Sequence, residues 1–101
     1  MKNNKTLSLE EAAKALKELG HPARLSIYRQ LVRAGADGTP VGTVQAQLDI
    51  PGSTLTHHLS GLVSAGLVTQ RREGRTLYCV AQYEELDALI GYLQEECCAG
   101  S

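Results

Sequence analysis

A chain of 101 residues with 43% apolar side chains, four Tyr and no Phe or Trp can bury one modest core, and that core has to be aliphatic. Ten Lys+Arg against eleven Asp+Glu leave a net charge of −1, so no global excess of either sign points to a nucleic acid or a membrane surface. No apolar run approaches the ~20 residues of a membrane span, Met1–Thr6 is polar with no signal-peptide core, and three Cys do not make a disulfide scaffold, so a reduced, cytoplasmic, single-domain protein is expected.

Ser8 followed by Leu9-Glu10-Glu11 predicts a capping box and a first helix over 9–19, with Leu9, Ala12, Ala13, Leu16 and Leu19 at helical spacing and Gly20 as the stop. His21-Pro22 opens a second helix with Pro at its first position. Ala23, Ile27, Leu31 and Ala34 continue its stripe, and Gly35–Gly38 is a loop. Thr39-Pro40 opens a third, short helix to Leu48, with Val41, Val44 and Leu48 as its apolar face. After Asp49–Gly52 turns the chain, a fourth helix runs from about Pro51 to Ala65, with Leu55, Leu59, Leu62 and Val63 inward, and Gly66 ends it. Leu67–Arg72 and Thr76–Val80 read as strands around a Glu73-Gly74-Arg75 tip. A last helix over about 83–97 carries Leu86, Leu89, Ile90, Leu93 and Cys97 on one stripe. The order is α-α-α-α-β-β-α: a mostly helical fold with a small hairpin wing. A flexible tail is expected over 1–7, one domain over 8–98 and a frayed end over 99–101.

Two helices joined by a tight turn and followed at once by a basic hairpin form a winged helix-turn-helix pattern. On a helical wheel, Ser53, His57, Ser60, Gly61 and Ser64 lie opposite the leucines of the fourth helix, flanked by Thr54, Thr56 and His58. Small hydroxyls and imidazoles let a helix enter a major groove and can read base edges there. The charge distribution agrees, because residues 71–75 carry Arg71, Arg72 and Arg75 against Glu73, while residues 76–101 hold five acids and no base. A tip of this kind suits phosphate.

Four blocks in order, Leu19-Gly20-His21-Pro22-Ala23-Arg24-Leu25, Ile50 to Leu59, Leu62-Val63-Ser64-Ala65-Gly66-Leu67-Val68 and Arg72-Glu73-Gly74-Arg75, resemble the ArsR/SmtB family of repressors over roughly residues 8–97. The resemblance implies a homodimeric winged-helix repressor on an inverted-repeat operator in double-stranded DNA. Its first and last helices would form the dimer interface. It carries the recognition-helix motif onto Ser53, Thr54, Thr56, His57 and His58, and the wing onto Arg72, Gly74 and Arg75. Pro51 stands where many members have a capping Ser, though its fixed φ suits a helix start. The apolar stripe of the last helix asks for a partner surface in its own right, with Leu16, Leu86, Leu89, Ile90 and Leu93 as candidate interface residues.

The resemblance also implies an inducer site of thiolates or of His and carboxylates. Two common arrangements are absent: Val41-Gly42-Thr43-Val44 holds no Cys, and residues 76–101 hold no His. Cys97-Cys98 resembles the C-terminal Cys pair of arsenic-responsive members, and soft thiolates select soft ions, so trivalent arsenic (inorganic or methylated) or antimony is the expected inducer, with no cofactor required. Cys79 is either a third ligand or a small buried hydrophobe. A 15-residue helix spans ~22 Å, so Cys79 and Cys97 meet only if that helix folds back or the site crosses a dimer. Disulfide-based redox or sulfur-species sensing is an alternative, as is a tail with no sensory role. His21 reads as a helix-entry residue. No nucleophile–base–orienter set, phosphate loop or paired acids point to an enzyme. A winged helix that binds protein is the alternative of another class, which a flat salt dependence would reveal.

Overall fold

The computed structural model describes residues 5–95. The expected tip of the last helix, Cys97, Cys98, most of the N-terminal tail and the frayed end lie outside them. Ser8 caps α1 (Leu9–Leu19): its Oγ accepts from the Glu11 N–H at 3.1 Å, while the Glu11 carboxylate accepts from the Ser8 N–H at 2.8 Å. These bonds hold the Glu11 carboxyl below its ordinary range. α2 (Pro22–Ala34) starts on Pro22, and His21 caps it by accepting the Ala23 N–H on Nδ1 at 3.2 Å. A 3-10 turn (Gly35–Asp37) leads to strand β1 (Thr39–Pro40) and then to α3 (Val41–Leu48). α4 (Gly52–Ser64) precedes β2 (Val68–Glu73), β3 (Thr76–Ala81) and α5 (Tyr83–Gln94).

The end of α4 follows from local chemistry. Gly66, at φ 76°, takes the left-handed position. The Leu67 N–H then returns to Leu62 O and the Gly66 N–H to Val63 O, both at 3.0 Å. Leu62 and Leu67 are both fully buried beside this turn.

The sheet has one strand more than expected. Its order is β1-β3-β2, all antiparallel, with Thr39 opposite Cys79 and Pro40 opposite Tyr78. A two-residue strand leaves no periodic trace in a sequence. Pro40, which has no N–H to donate, is accommodated because β1 is an edge. β2 and β3 pair from Val68–Ala81 to Glu73–Thr76 around a two-residue turn, Gly74-Arg75.

The core is aliphatic: Ile27, Leu31, Val44, Leu55, Leu62, Leu67, Val68 and Cys79 are its largest fully buried side chains. Four expectations change here. First, α1 turns Ala12, Ala15 and Glu18 fully inward with Leu19 half-buried against the core, whereas Leu9 is 65% exposed and Leu16, a candidate interface residue, 44%. Second, α5 buries Ala88 and Leu89 in its own chain and leaves Ile90 and Leu93 outside, so Leu89 is core and Leu86 is half-buried. Third, Leu7 is buried and Lys5 pairs with Glu85 at 2.8 Å, so the described end of the tail packs on the domain. Fourth, α5 stops at Gln94, where Glu95 takes an extended ψ of 131°.

Because Leu31 is fully buried, Leu31→Ala should cost about 2–5 kcal/mol. The check is a lowered urea midpoint at unchanged m-value.

Candidate nucleic-acid interface

α3, the turn and α4 form the helix-turn-helix. The chain reverses at Asp49, the one non-glycine residue with positive φ among those described (53°). Its N–H donates to Gln45 O at 2.8 Å, and Gln45 Nε2 donates onward to Ile50 O at 3.2 Å, tying α3 to the start of α4. Pro51 O accepts the Leu55 N–H at 3.0 Å, and no side chain caps α4. The N–H groups of its first turn, including those of Ser53 and Thr54, are therefore open to an acceptor.

Leu55, Leu59 and Leu62 face the core as the wheel predicts. Ser53, Thr54, Thr56, His57, Ser60 and Ser64 are all exposed, so the structure gathers five of the six expected hydroxyl and imidazole positions around His57 on one outer face. Three positions depart from the expected pattern: Val63, His58 and Gly61. Val63 is not inward but exposed, beside Thr56, Ser60, Gln70 and Leu77 in the groove between α4 and the wing. His58 is not on the reading face: it is 7% exposed, and its Nδ1 accepts from Arg24 Nε at 3.2 Å. A donor held against Nδ1 leaves the imidazole proton on Nε2. Burial first, then Arg24, His21 and His57, hold the His58 imidazole below its ordinary range.

Behind His58 lies an ion pair that sequence spacing does not single out. Arg24 Nη1 bonds Glu18 Oε1, and Lys14 Nζ reaches Glu18 Oε2 at 3.3 Å. Glu18 is buried with Ala12 and Ala15, and its place three residues past Ala15 on the inward face of α1 was the signal available. Gly61, placed on the outer face by the wheel, is pressed against this pair: a Cβ there would sit 2.7 Å from Arg24 Nη1.

The wing arginines differ among themselves. Cross-strand pairing puts Arg72 with Leu77 and Gln70 with Cys79 on the sheet face that meets α4, and Arg71 with Tyr78 on the other. Arg71 is tied down: Nη2 donates to Asp37 O at 3.0 Å, Nε to Glu73 Oε2 at 2.6 Å, and the guanidinium lies 4.9 Å from the Tyr78 ring centroid. Arg72 and Arg75 are exposed, and their side chains make no hydrogen bond or ion pair among the described residues.

Of the three candidate thiols, Cys79 is described. It is fully buried on β3, with its Sγ 3.7 Å from Gln70 Nε2, and burial pushes its thiol up. A metalloid ligand must be a thiolate, so its setting is that of the small buried hydrophobe. No group of three or more metal-ligating side chains is assembled among the described residues. No described helix is long and apolar enough to cross a membrane.

An open helix face, an uncapped helix start and a hairpin carrying free arginines define a winged helix-turn-helix of the DNA-binding kind. A family model described as a helix-turn-helix domain matches residues 19–71. Among curated relatives, the HTH-type transcriptional regulator YgaV of Escherichia coli is 30% identical over 90% of each chain. The biofilm growth-associated repressor of Agrobacterium fabrum is 36% identical over 88% of this chain and 74% of its own. Among solved structures, the homodimeric winged helix-turn-helix DNA-binding domain of Mb0332 from Mycobacterium bovis, described as a possible ArsR-family regulator, has TM-score 0.70 at 27% identity over 92% of this chain and 86% of its own. A possible transcriptional regulator for arsenical resistance has TM-score 0.71 at 27% identity, covering 80% and 81%. The chain belongs to the helix-turn-helix transcriptional regulators of the ArsR type, a family of DNA-binding proteins and not of enzymes.

Burial of Cys79 makes its reactivity a direct measure of the fold. In a Cys97→Ser/Cys98→Ser chain at pH 7, iodoacetamide should leave the native protein unmodified and add one group after denaturation, read by intact mass.

Proposed function

We propose that the chain is a cytoplasmic, homodimeric repressor that reads an inverted-repeat operator through α4, is clamped by its wing, and is released by a thiophilic inducer at Cys97 and Cys98. The observation that carries the DNA reading is the outward face of Ser53, Thr54, Thr56, His57 and Ser60 beside the untethered Arg72 and Arg75. Hydroxyls and the His57 imidazole offer donors and acceptors to base edges, the open N–H groups of the first turn favour a phosphate, and the two arginines favour the next backbone. Arg71, bound within the wing, adds less.

Dimerisation is supported by apolar side chains with no cover in one copy. Leu9 and Leu16 on α1 and Ile90 (44% exposed) and Leu93 (58%) on α5 need a surface, and the Mb0332 neighbour is described as homodimeric. A two-fold axis would present two α4 helices to half-sites one helical turn apart, ~34 Å.

The inducer reading rests on the Cys97-Cys98 pair and is supported by the likeness to a regulator described for arsenical resistance. With Cys79 in the core, each chain offers two thiols, a number that suits a methylated trivalent arsenical, whose third valence is already carbon. Trivalent antimony and inorganic arsenite would draw a third ligand from elsewhere. Ligating both would act on the proposed interface, because the pair follows α5 in sequence and α5 carries Ile90 and Leu93. Coupling of ~1–3 kcal/mol would weaken DNA binding ~5–150-fold.

Three outcomes check this reading. Sedimentation at micromolar concentration should give a dimer, and an 11 kDa species alone would remove it. Arg72→Ala and Arg75→Ala should weaken operator and random duplex alike and reduce the salt slope by about one each. Thr54→Ala and His57→Ala should instead cost ~1–3 kcal/mol on operator per good contact and little on random DNA; equal losses on both duplexes for all four variants would end that division. Third, methylarsenite should release the promoter complex, read by fluorescence anisotropy, and Cys97→Ser/Cys98→Ser should bind DNA but resist release. Release of that double variant, or release of the native chain by oxidant and not by arsenicals or antimonite, would overturn the metalloid assignment.

A further inference from the structure

The groups behind α4 form a continuous chain from α1 to the DNA-reading helix. Glu18 and His58 are each 7% exposed, and the Arg24 side chain between them is 13% exposed. Arg24 uses Nη1 for Glu18 and Nε for His58. Such a buried pair is weak evidence of stability, because well-packed apolar side chains of similar volume often do as well. Its value lies in direction. A guanidinium is a rigid planar fork, so a bond from one edge to α1 and another to α4 leaves His58 one place to sit. Gly61, three residues on, admits the same fork against the bare backbone of α4. His58 is preceded in the chain by the exposed His57. A turn of α4 about its axis that broke the Arg24–His58 bond would also swing His57 and Thr54 away from their places on the outer face.

We propose that the Glu18–Arg24–His58 chain sets the rotational pose of α4, making Arg24 and His58 positioning residues for DNA recognition. The inference rests on the DNA-reading role of α4 argued above. It separates pose from fold: Leu55, Leu59 and Leu62 keep the helix in the core, while the polar chain decides which face looks outward.

The bond to Arg24 needs a neutral His58, because a protonated Nδ1 would point its own hydrogen at Arg24 Nε–H. The groups facing His58 are Arg24 and, through it, Glu18 and Lys14, together with His21 (ring centroids 4.8 Å apart) and His57 (5.9 Å). His58 is held below its ordinary range in the folded protein. The contribution of the bond is therefore complete above the ordinary imidazole value of ~6.5 and is lost as pH falls through the lowered value.

The test uses the full chain and a duplex that the native protein selects from a random-sequence library, with affinity read by anisotropy at pH 8 and pH 5.5. At pH 8, His58→Leu should keep native helix content and lose about tenfold in affinity, the effect of one buried hydrogen bond. His58→Asn, whose Oδ1 stands where Nδ1 does and does not titrate, should restore most of that loss. From pH 8 to 5.5, the native chain should lose more affinity than His58→Asn, since both proteins keep His21 and His57. Unchanged binding by a folded His58→Leu, or a folded His58→Asn that recovers none of the loss, would overturn the positioning role and leave the DNA reading intact. If His58→Leu does not fold, His58→Asn at pH 8 decides alone: near-native affinity supports the acceptor role, and a loss of about tenfold in the folded variant overturns it. If the native chain selects no duplex, the DNA reading fails and the inference falls with it.

Discussion

The Glu18–Arg24 ion pair, pressed between α1, α2 and the bare backbone at Gly61, is the contact on which the proposed pose of the site depends. α4 is a poor helix by composition. Its thirteen residues include two Gly, three Ser, two Thr and two His, which are weak helix formers. Isolated, such a segment would not hold. It is helical because Leu55, Leu59 and Leu62 are gripped by the core. The composition that weakens the helix is also what lets it approach another molecule closely, since no long side chain stands out from its outer face. Stability and access thus pull in opposite directions in α4, and the burden of holding it passes to α1 and α2.

Much of the fold was legible because it is written locally. The Ser8–Glu11 capping box, Pro22 at a helix start and Gly66 at a helix end each announce themselves within a few residues and are found in place, and the expected Glu73–Arg75 tip is found with Glu73 drawn into β2. What was not legible depends on distant partners. β1 exists because β3 passes beside Thr39 and Pro40. The wheel of α4 is centred one step off, towards Val63, because a valine reads as core and a histidine as surface; Arg24 gives His58 the buried partner that the sequence does not show. On α1 the stripe offered Leu9 beside Ala12, and the structure buries Ala12 and Ala15 and leaves Leu9 outside.

The wing shows the same limit. Composition treats Arg71, Arg72 and Arg75 alike, and strand parity together with the loop at Asp37 separates them. Cys79 was undecidable between ligand and core from its neighbours in sequence. Pairing on both sides, with Thr39 and Gln70, closes it off from solvent.

Arg71 has a consequence for how the chain searches DNA. Its charge is already answered by Glu73, by the Asp37 carbonyl and by the Tyr78 ring, so under the proposed reading a duplex meeting this hairpin would exchange its condensed cations for Arg72 and Arg75. Each phosphate so neutralised contributes about 0.9 to the logarithmic salt slope. In a chain whose overall charge is −1, the wing exerts little pull on arbitrary sequence. Under the proposed reading, residence on wrong sites would be brief, and the time spent on the right one would be governed by the short-range fit of the α4 face in each copy.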